Sequence, residues 1–218
     1  AGHFDSLGAG QTATDTFRYT VDDGHGGIVT RTATVTIVGA NDAPVITGLD
    51  DLALSEEGLP RSTPDTTGDD TTDAASASGI VVAVDADGDA LGYTWGDPPE
   101  GLSSGGRPLV WSGAGSATLV GSVDGVAVLT AALDAAGRYT VTLAGALDHP
   151  AAGVQDALSF GLTVAVSDGS SSASAVVTIR VEDDAPVVVG PPQPAYFNPA
   201  EGSILAGRLG LATGADDE

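Results

Sequence analysis

Apolar and polar positions alternate along most of the chain, and they do so in short runs. The segments GIVVAV (79–84), LGYTW (91–95), PLVWS (108–112), SATLVGS (116–122), VAVLTAAL (126–133), RYTVTLAG (138–145), LSFGLTVAVS (158–167) and AVVTIRVE (175–182) are β-branched or aromatic and bounded by Gly, Pro or Asp. Within RYTVTL the bulky residues Tyr139, Val141 and Leu143 fall on one face and Thr140 and Thr142 on the other, the period of a strand with one buried side. Turn residues separate the runs at Val123-Asp124-Gly125, at Asp134 to Gly137 and at Asp168-Gly169. Short strands at this spacing predict an all-β fold of the sandwich type. The stretch ALDAAG (132–137) reads as a hairpin loop and not as a helix. Residues 57–78 are polar and aperiodic, which predicts a long surface loop; 96–106 (GDPPEGLSSGG) predicts a second one, and the Pro-rich 191–199 a stiff linker.

The pattern is also written twice. FRYTVDDG (17–24) followed by TATVTIVGANDAPV (32–45) matches GLTVAVSDG (161–169) followed by AVVTIRVEDDAPV (175–187), and each copy is preceded by an aspartate after a bulky apolar residue, in FDSL (4–7) and LDHP (147–150). An offset of 142–145 residues points to tandem modules. It predicts the C-terminal part of one module at 1–42, a complete module at 43–186, and a linker with the start of another at 187–218. About 40 residues cannot bury a core, so the N-terminal hairpin is expected to pack poorly or to borrow strands from a neighbour.

Charge narrows the function. The chain has 30 acids and 7 bases, net −23; every base is Arg, and 24 of the acids are Asp. No basic patch is available to hold phosphates, which disfavours nucleic acid as a partner. Asp favours turns and is a ligand for hard cations such as calcium; a GC-rich or halophilic genome with a preference for Asp-Gly turns is the weaker alternative explanation of the bias. There is no Cys, hence no disulfide, no thiolate catalysis and no cysteine zinc site. No apolar run reaches the length of a membrane span, so membrane insertion by this segment is not expected.

Acidic clusters hold the candidate chemistry. Asp85-Ala86-Asp87-Gly88-Asp89 places carboxylates at alternating positions of a tight loop, but Ala90 stands where an EF-hand needs Gly and Gly96 where it needs a bidentate Glu, so that loop type is rejected. The others are Asn41-Asp42, Asp183-Asp184, Glu56-Glu57 and the equivalent pair Asp5 and Asp148. All of these acids could instead merely end strands and remain solvated. His3, His25 and His149 are scattered and lack a metal-binding His-x-x-x-His spacing. No phosphate loop and no calcium β-roll nonapeptide occurs, and catalysis is not expected. Trp95 and Trp111 are expected in the core, with stacking on a sugar ring as the alternative.

The run VVAVDADGDALGYTW resembles the opening of a cadherin repeat, and VGANDAPVI and VEDDAPVV are similar to the cadherin linker ending in Asn-Ala-Pro. LDHP stands where cadherins carry Leu-Asp-Arg-Glu, and Glu56 or Glu57 where they carry an N-terminal glutamate. The first copy resembles bacterial VCBS-type cadherin-like repeats. The stretch AGRYTVTLAGALDHPAAGVQDALSFGLTVAVSDG resembles the 143-residue-type repeats of giant RTX adhesins exported by type I secretion. The resemblance implies tandem Ig-like or cadherin-like β-sandwich modules on an extracellular bacterial surface, active in cell adhesion or biofilm, with Ca2+ at module junctions. It implies that Asp5, Asn41, Asp42, Glu56 or Glu57, Asp85 and Asp87, beside Asp89, form one junction, and that Asp148, Asp183 and Asp184 contribute to the next. LDHP and FDSL lack the glutamate of the cadherin motif and VEDDAP lacks its Asn, which implies fewer ions per junction. Neighbouring modules of the same chain are the expected partners. A ligand-binding reading, in which the loops at 57–78 and 96–106 grip a host or bacterial glycan or protein, stays open.

Overall fold

A computed structural model describes residues 4–60, 62, 71–150, 156–184, 196–198 and 203–205. The Pro-rich 191–195 segment and most of the stretch after it lie outside the described residues, as do His3 and most of 61–70 of the first loop. The strands are β1 (Thr12–Asp22), β2 (Ile28–Val38), β3 (Val45–Leu49), β4 (Leu52–Ser55), β5 (Ser76–Val84), β6 (Gly92–Trp95), β7 (Ser103–Ser104), β8 (Arg107–Pro108), β9 (Val110–Ser112), β10 (Thr118–Val123), β11 (Val126–Leu133), β12 (Arg138–Leu143), β13 (Ala157–Ser167), β14 (Ser172–Glu182), β15 (Tyr196–Asn198) and β16 (Ser203–Leu205). A 3-10 turn over Glu56–Gly58 follows β4.

The fold is all-β. Two sheets face each other: a six-stranded one in the order β3-β5-β12-β11-β10-β9 and a four-stranded one in the order β4-β14-β13-β6. Alternation drives the packing. Tyr139, Val141 and Leu143 of β12 point inward and meet Leu162, Val164 and Val166 of β13 and Val177, Ile179 and Val181 of β14 in one core. Trp95 is fully buried and packs edge-on against Tyr139 with ring centroids 5.9 Å apart, a favoured aromatic geometry. Trp111 is half-buried at the side of the core. The predicted Asp-Gly turn joins β10 to β11 through two residues, Asp124 (φ 52°) and Gly125 (φ 81°), the left-handed pair that a tight hairpin of this hand requires.

Each copy of the repeated sequence folds into the same object. β1 and β2 pair antiparallel over eleven residues each, and so do β13 and β14. Their surroundings differ. Leu162, Val164 and Val166 are 0% exposed, whereas Phe17, Tyr19 and Val21, at the matching positions, are 55%, 45% and 57% exposed. Among the described residues no third strand pairs with β1 or β2, so the first hairpin carries its apolar face uncovered.

Strand direction decides which acids meet. β4 runs parallel to β14, with Ser55 opposite Glu182. Both strands therefore finish at the same end of the sandwich, and Glu56-Glu57 and Asp183-Asp184 are delivered side by side. β5 runs antiparallel to β3, with Val84 opposite Val45. That register puts Asp85 at the other end, beside the chain arriving from the first hairpin.

Two candidate cation sites at opposite ends of the sandwich

The first site lies where the N-terminal hairpin meets the sandwich. Leaving β5, the chain turns so that Asp85 Oδ1 accepts the amides of Asp87 (2.9 Å) and Asp89 (3.3 Å). Asp87 Oδ2 accepts the amide of Asp42 at 2.8 Å, tying the linker to the loop. Asn41 donates its side-chain amide to Asp168 Oδ2 (3.0 Å) and Ser171 Oγ (3.3 Å) in the β13–β14 turn. Amides of Ser171 and Ser170 and the Asn41 side chain hold the Asp168 carboxyl below its ordinary pKa. Asp5, Asp42 and Asp85 line one cleft with Ala43, Val45, Val84 and Ala86. One oxygen each of Asp85, Asp87 and Asp89 lies within 4.8 Å of the other two. Asp85 Oδ2 and Asp87 Oδ1 are buried with no hydrogen-bond partner among the described residues. An anionic oxygen buried without a donor is costly, and two in one acidic cluster favour a positive charge beside them.

The second site lies at the opposite end. Ser55 caps the 3-10 turn by accepting the Glu57 amide at 3.1 Å, and the turn carries Glu56 (0% exposed) and Glu57 (4%) inward beside Asp183 and Asp184. Glu56 Oε1 accepts the Leu147 amide at 2.7 Å. His149, whose side chain is 1% exposed, sits 3.4 Å from Glu56 Oε1 through Nε2 and 2.7 Å from Asp156 Oδ1 through Nδ1. Burial lowers the His149 pKa. The Glu56 carboxylate beside Nε2, the Asp156 contact and the charge of Asp183 outweigh that and raise it to about 9. Glu182 is buried too, which pushes its carboxyl up, but hydrogen bonds from Thr71 and Arg180 hold it below the usual glutamate range.

Three expectations change. Glu56 and Glu57 do not join Asp85 and Asp87; the parallel β4–β14 pairing carries them to the far end. Asp148 does not face Asp183; both of its oxygens accept the Gly106 amide (2.9 and 3.2 Å), and its own amide donates to Ser103 O. His149, set aside on spacing, takes the inward position instead, one residue later. Asn41, Asp42, Asp5, Asp85, Asp87 and Asp89 do gather at one end, and Asp183 and Asp184 lie at the other. Asp156, Asp168 and Glu182 escaped the sequence reading because their partners, His149 for Asp156, Asn41 for Asp168 and Thr71 for Glu182, are brought to them only by the tertiary fold.

No family model matches the sequence, and no curated protein matches it. Solved structures similar to the chain include human protocadherin-24 EC1-2, at 22% identity and a TM-score of 0.32 over 76% of this chain and 59% of that one. Mouse clustered PcdhgC3 EC1-3 matches at 20% identity and a TM-score of 0.33, over 83% of this chain and 46% of that one. The endo-fucoidan hydrolase MfFcnA4 from glycoside hydrolase family 107 matches at 16% identity and a TM-score of 0.27, over 81% and 19%. The chain is an all-β sandwich. It spans less than two-thirds of the length of each of these proteins, and the reading of its sites rests on its own residues. Among the described residues no helix is long and apolar enough to cross a membrane.

Proposed function

We propose that the chain is a non-catalytic extender segment of a large secreted or surface-anchored bacterial adhesin, in which calcium at the joint between successive β modules stiffens the stalk. One observation carries the reading: Asp85 Oδ2 and Asp87 Oδ1 are buried without partners at the point where the first hairpin enters the sandwich. All side-chain donors there are oxygens, which suits a hard cation with six to eight oxygen ligands at about 2.3–2.6 Å. Asp85, Asp87 and Asp89 would supply the loop side, with Asp42 and Asp5 from the linker side of the same cleft. Calcium supplies there the positive charge that turns carboxylate repulsion into attraction. The protein's part is to hold the two sides in register: Asp42 through the Asp87 carboxylate, Asn41 through Asp168. Extracellular modules of this kind bind calcium at about 10⁻⁴–10⁻³ M, so a segment exported unfolded stiffens after release.

The test is thermal melting together with small-angle scattering, in calcium and in chelator. Calcium is expected to raise the melting temperature and lengthen the particle; if chelation changes neither, the reading fails. A second reading, an adhesive module for a glycan or protein, draws on one feature: half-buried Trp111 lines a cleft with Pro98, Pro99 and Glu100 of the 96–106 loop. Trp95 is fully buried and offers no stacking face. Binding on a glycan array that is lost in Trp111→Ala would favour this second reading.

A further inference from the structure

The two ends of the sandwich differ in donor chemistry, and the difference is one imidazole. At the hairpin joint every candidate side-chain donor is an oxygen; at the far end His149 Nε2 faces Glu56 and Asp183. In the first copy of the repeat Ser6 stands where His149 stands in the second.

We propose that Glu56, His149 and Asp183 bind a first-row transition-metal dication of the zinc class, with His149 Nε2 as nitrogen donor and Asp156 as the residue that positions it. Four observations converge. The imidazole side chain is 1% exposed, and its Nδ1 is engaged by Asp156 at 2.7 Å, which leaves Nε2 as the atom turned to the cluster. That is the carboxylate–histidine arrangement that orients a metal-binding imidazole and makes it more basic. Nε2 has no hydrogen-bond partner among the described residues, and neither has Oε2 of the fully buried Glu56. Donor atoms of all three residues lie within 4.8 Å of one another. Finally, Nε2 is 3.4 Å from Glu56 Oε1, and two ligands at about 2.0–2.2 Å from a tetrahedral ion stand about 3.3–3.6 Å apart. Calcium and magnesium take oxygen ligands, whereas imidazole with carboxylate suits zinc and its neighbours.

The alternative occupant of the gap is no ion at all: a charged imidazole bridging Glu56 and Asp156. Isothermal titration of the chelator-treated chain with zinc chloride, in saturating calcium, separates the two. One equivalent of zinc is expected to bind despite the calcium, to be lost in His149→Ala, and to weaken about 10–100-fold in Asp156→Asn. Asp87→Asn, at the other end, is expected to leave it unchanged. Should His149→Ala fail to fold, nitrogen-15 NMR of the wild-type imidazoles reads the donor directly: zinc is expected to shift Nε2 of His149 and leave exposed His25 where it was. Zinc binding untouched by His149→Ala, an unmoved His149 signal, or stoichiometric displacement by calcium would each overturn the proposal. It does not rest on calcium at the hairpin joint, because zinc binding read through His149 and calcium binding read through Asp87 succeed or fail separately.

Discussion

Asp87→Asn tests the charge argument at the hairpin joint most directly, because it removes charge and keeps shape. An asparagine oxygen still accepts the Asp42 amide that Asp87 Oδ2 accepts at 2.8 Å. Its NH2 replaces the buried, unpartnered Oδ1 in the same cluster as the equally unpartnered Asp85 Oδ2. Carboxylate oxygens of Asp85, Asp87 and Asp89 lie within 4.8 Å of one another. At that separation two unit charges repel by roughly 0.9 kcal/mol in water and roughly 3.5 kcal/mol at an effective dielectric of about 20. The loop is half-exposed, so a gain of about 1–3 kcal/mol is expected for the variant in chelator. Calcium reverses the order. At about 10 mM, with dissociation constants of about 10⁻⁴–10⁻³ M, binding adds about 1.4–2.7 kcal/mol to the wild type and far less to a site short of one carboxylate. Urea unfolding followed by the fluorescence of buried Trp95 measures both limbs. The expected signature is a crossing: the variant more stable in chelator, the wild type more stabilised by calcium. A variant weakened in chelator and helped equally by calcium would refute the reasoning.

Two further outcomes test the sandwich itself. Burial and the charge of Asp50 raise the Tyr139 pKa to about 12, and its hydroxyl donates to the Asp50 carbonyl. A phenol whose folded pKa exceeds its unfolded value, about 10, stabilises below pH 10 and loses that contribution as pH rises towards 12. Urea midpoints across that window are expected to fall in the wild type and to stay flatter in Tyr139→Phe. Gly113→Ala is expected to cost several kcal/mol, about 2–4. Its φ is +92°, and a Cβ there would lie 1.9 Å from Thr118 O, backbone that cannot step aside; chemical denaturation measures the loss.

Much of the fold was legible because it is local. The 138–143 alternation required nothing beyond period two, and the doubled strand-turn-strand pattern returned as two hairpins of eleven-residue strands. What was illegible depends on pairing between distant segments. Glu56 follows β4, and nothing within 52–57 says that β4 lies parallel to 179–182. Asp148 and His149 are neighbours, so a single step of backbone phase decides which side chain enters the cluster. Asp148 is drawn away by the Gly106 amide, a partner 42 residues distant. Asp168 read as a turn former, which it is, through the Ser170 and Ser171 amides. Its second role, holding Asn41, exists only because the β13–β14 turn reaches the hairpin joint.

One backbone device thus serves two chemistries. In each copy a hairpin runs into a polar dipeptide before Ala-Pro, Asn41-Asp42 in the first and Asp183-Asp184 in the second. The hairpin fixes where that dipeptide emerges, while residues from elsewhere decide what it meets. Asn41 and Asp42 meet an all-oxygen loop on β5, because β3 and β5 are antiparallel. Asp183 meets Glu56 and His149, because β4 and β14 are parallel and because the loop after β12 turns its imidazole inward. If both proposed sites hold ions, their cation preference follows from strand direction plus one residue, with no change of fold required.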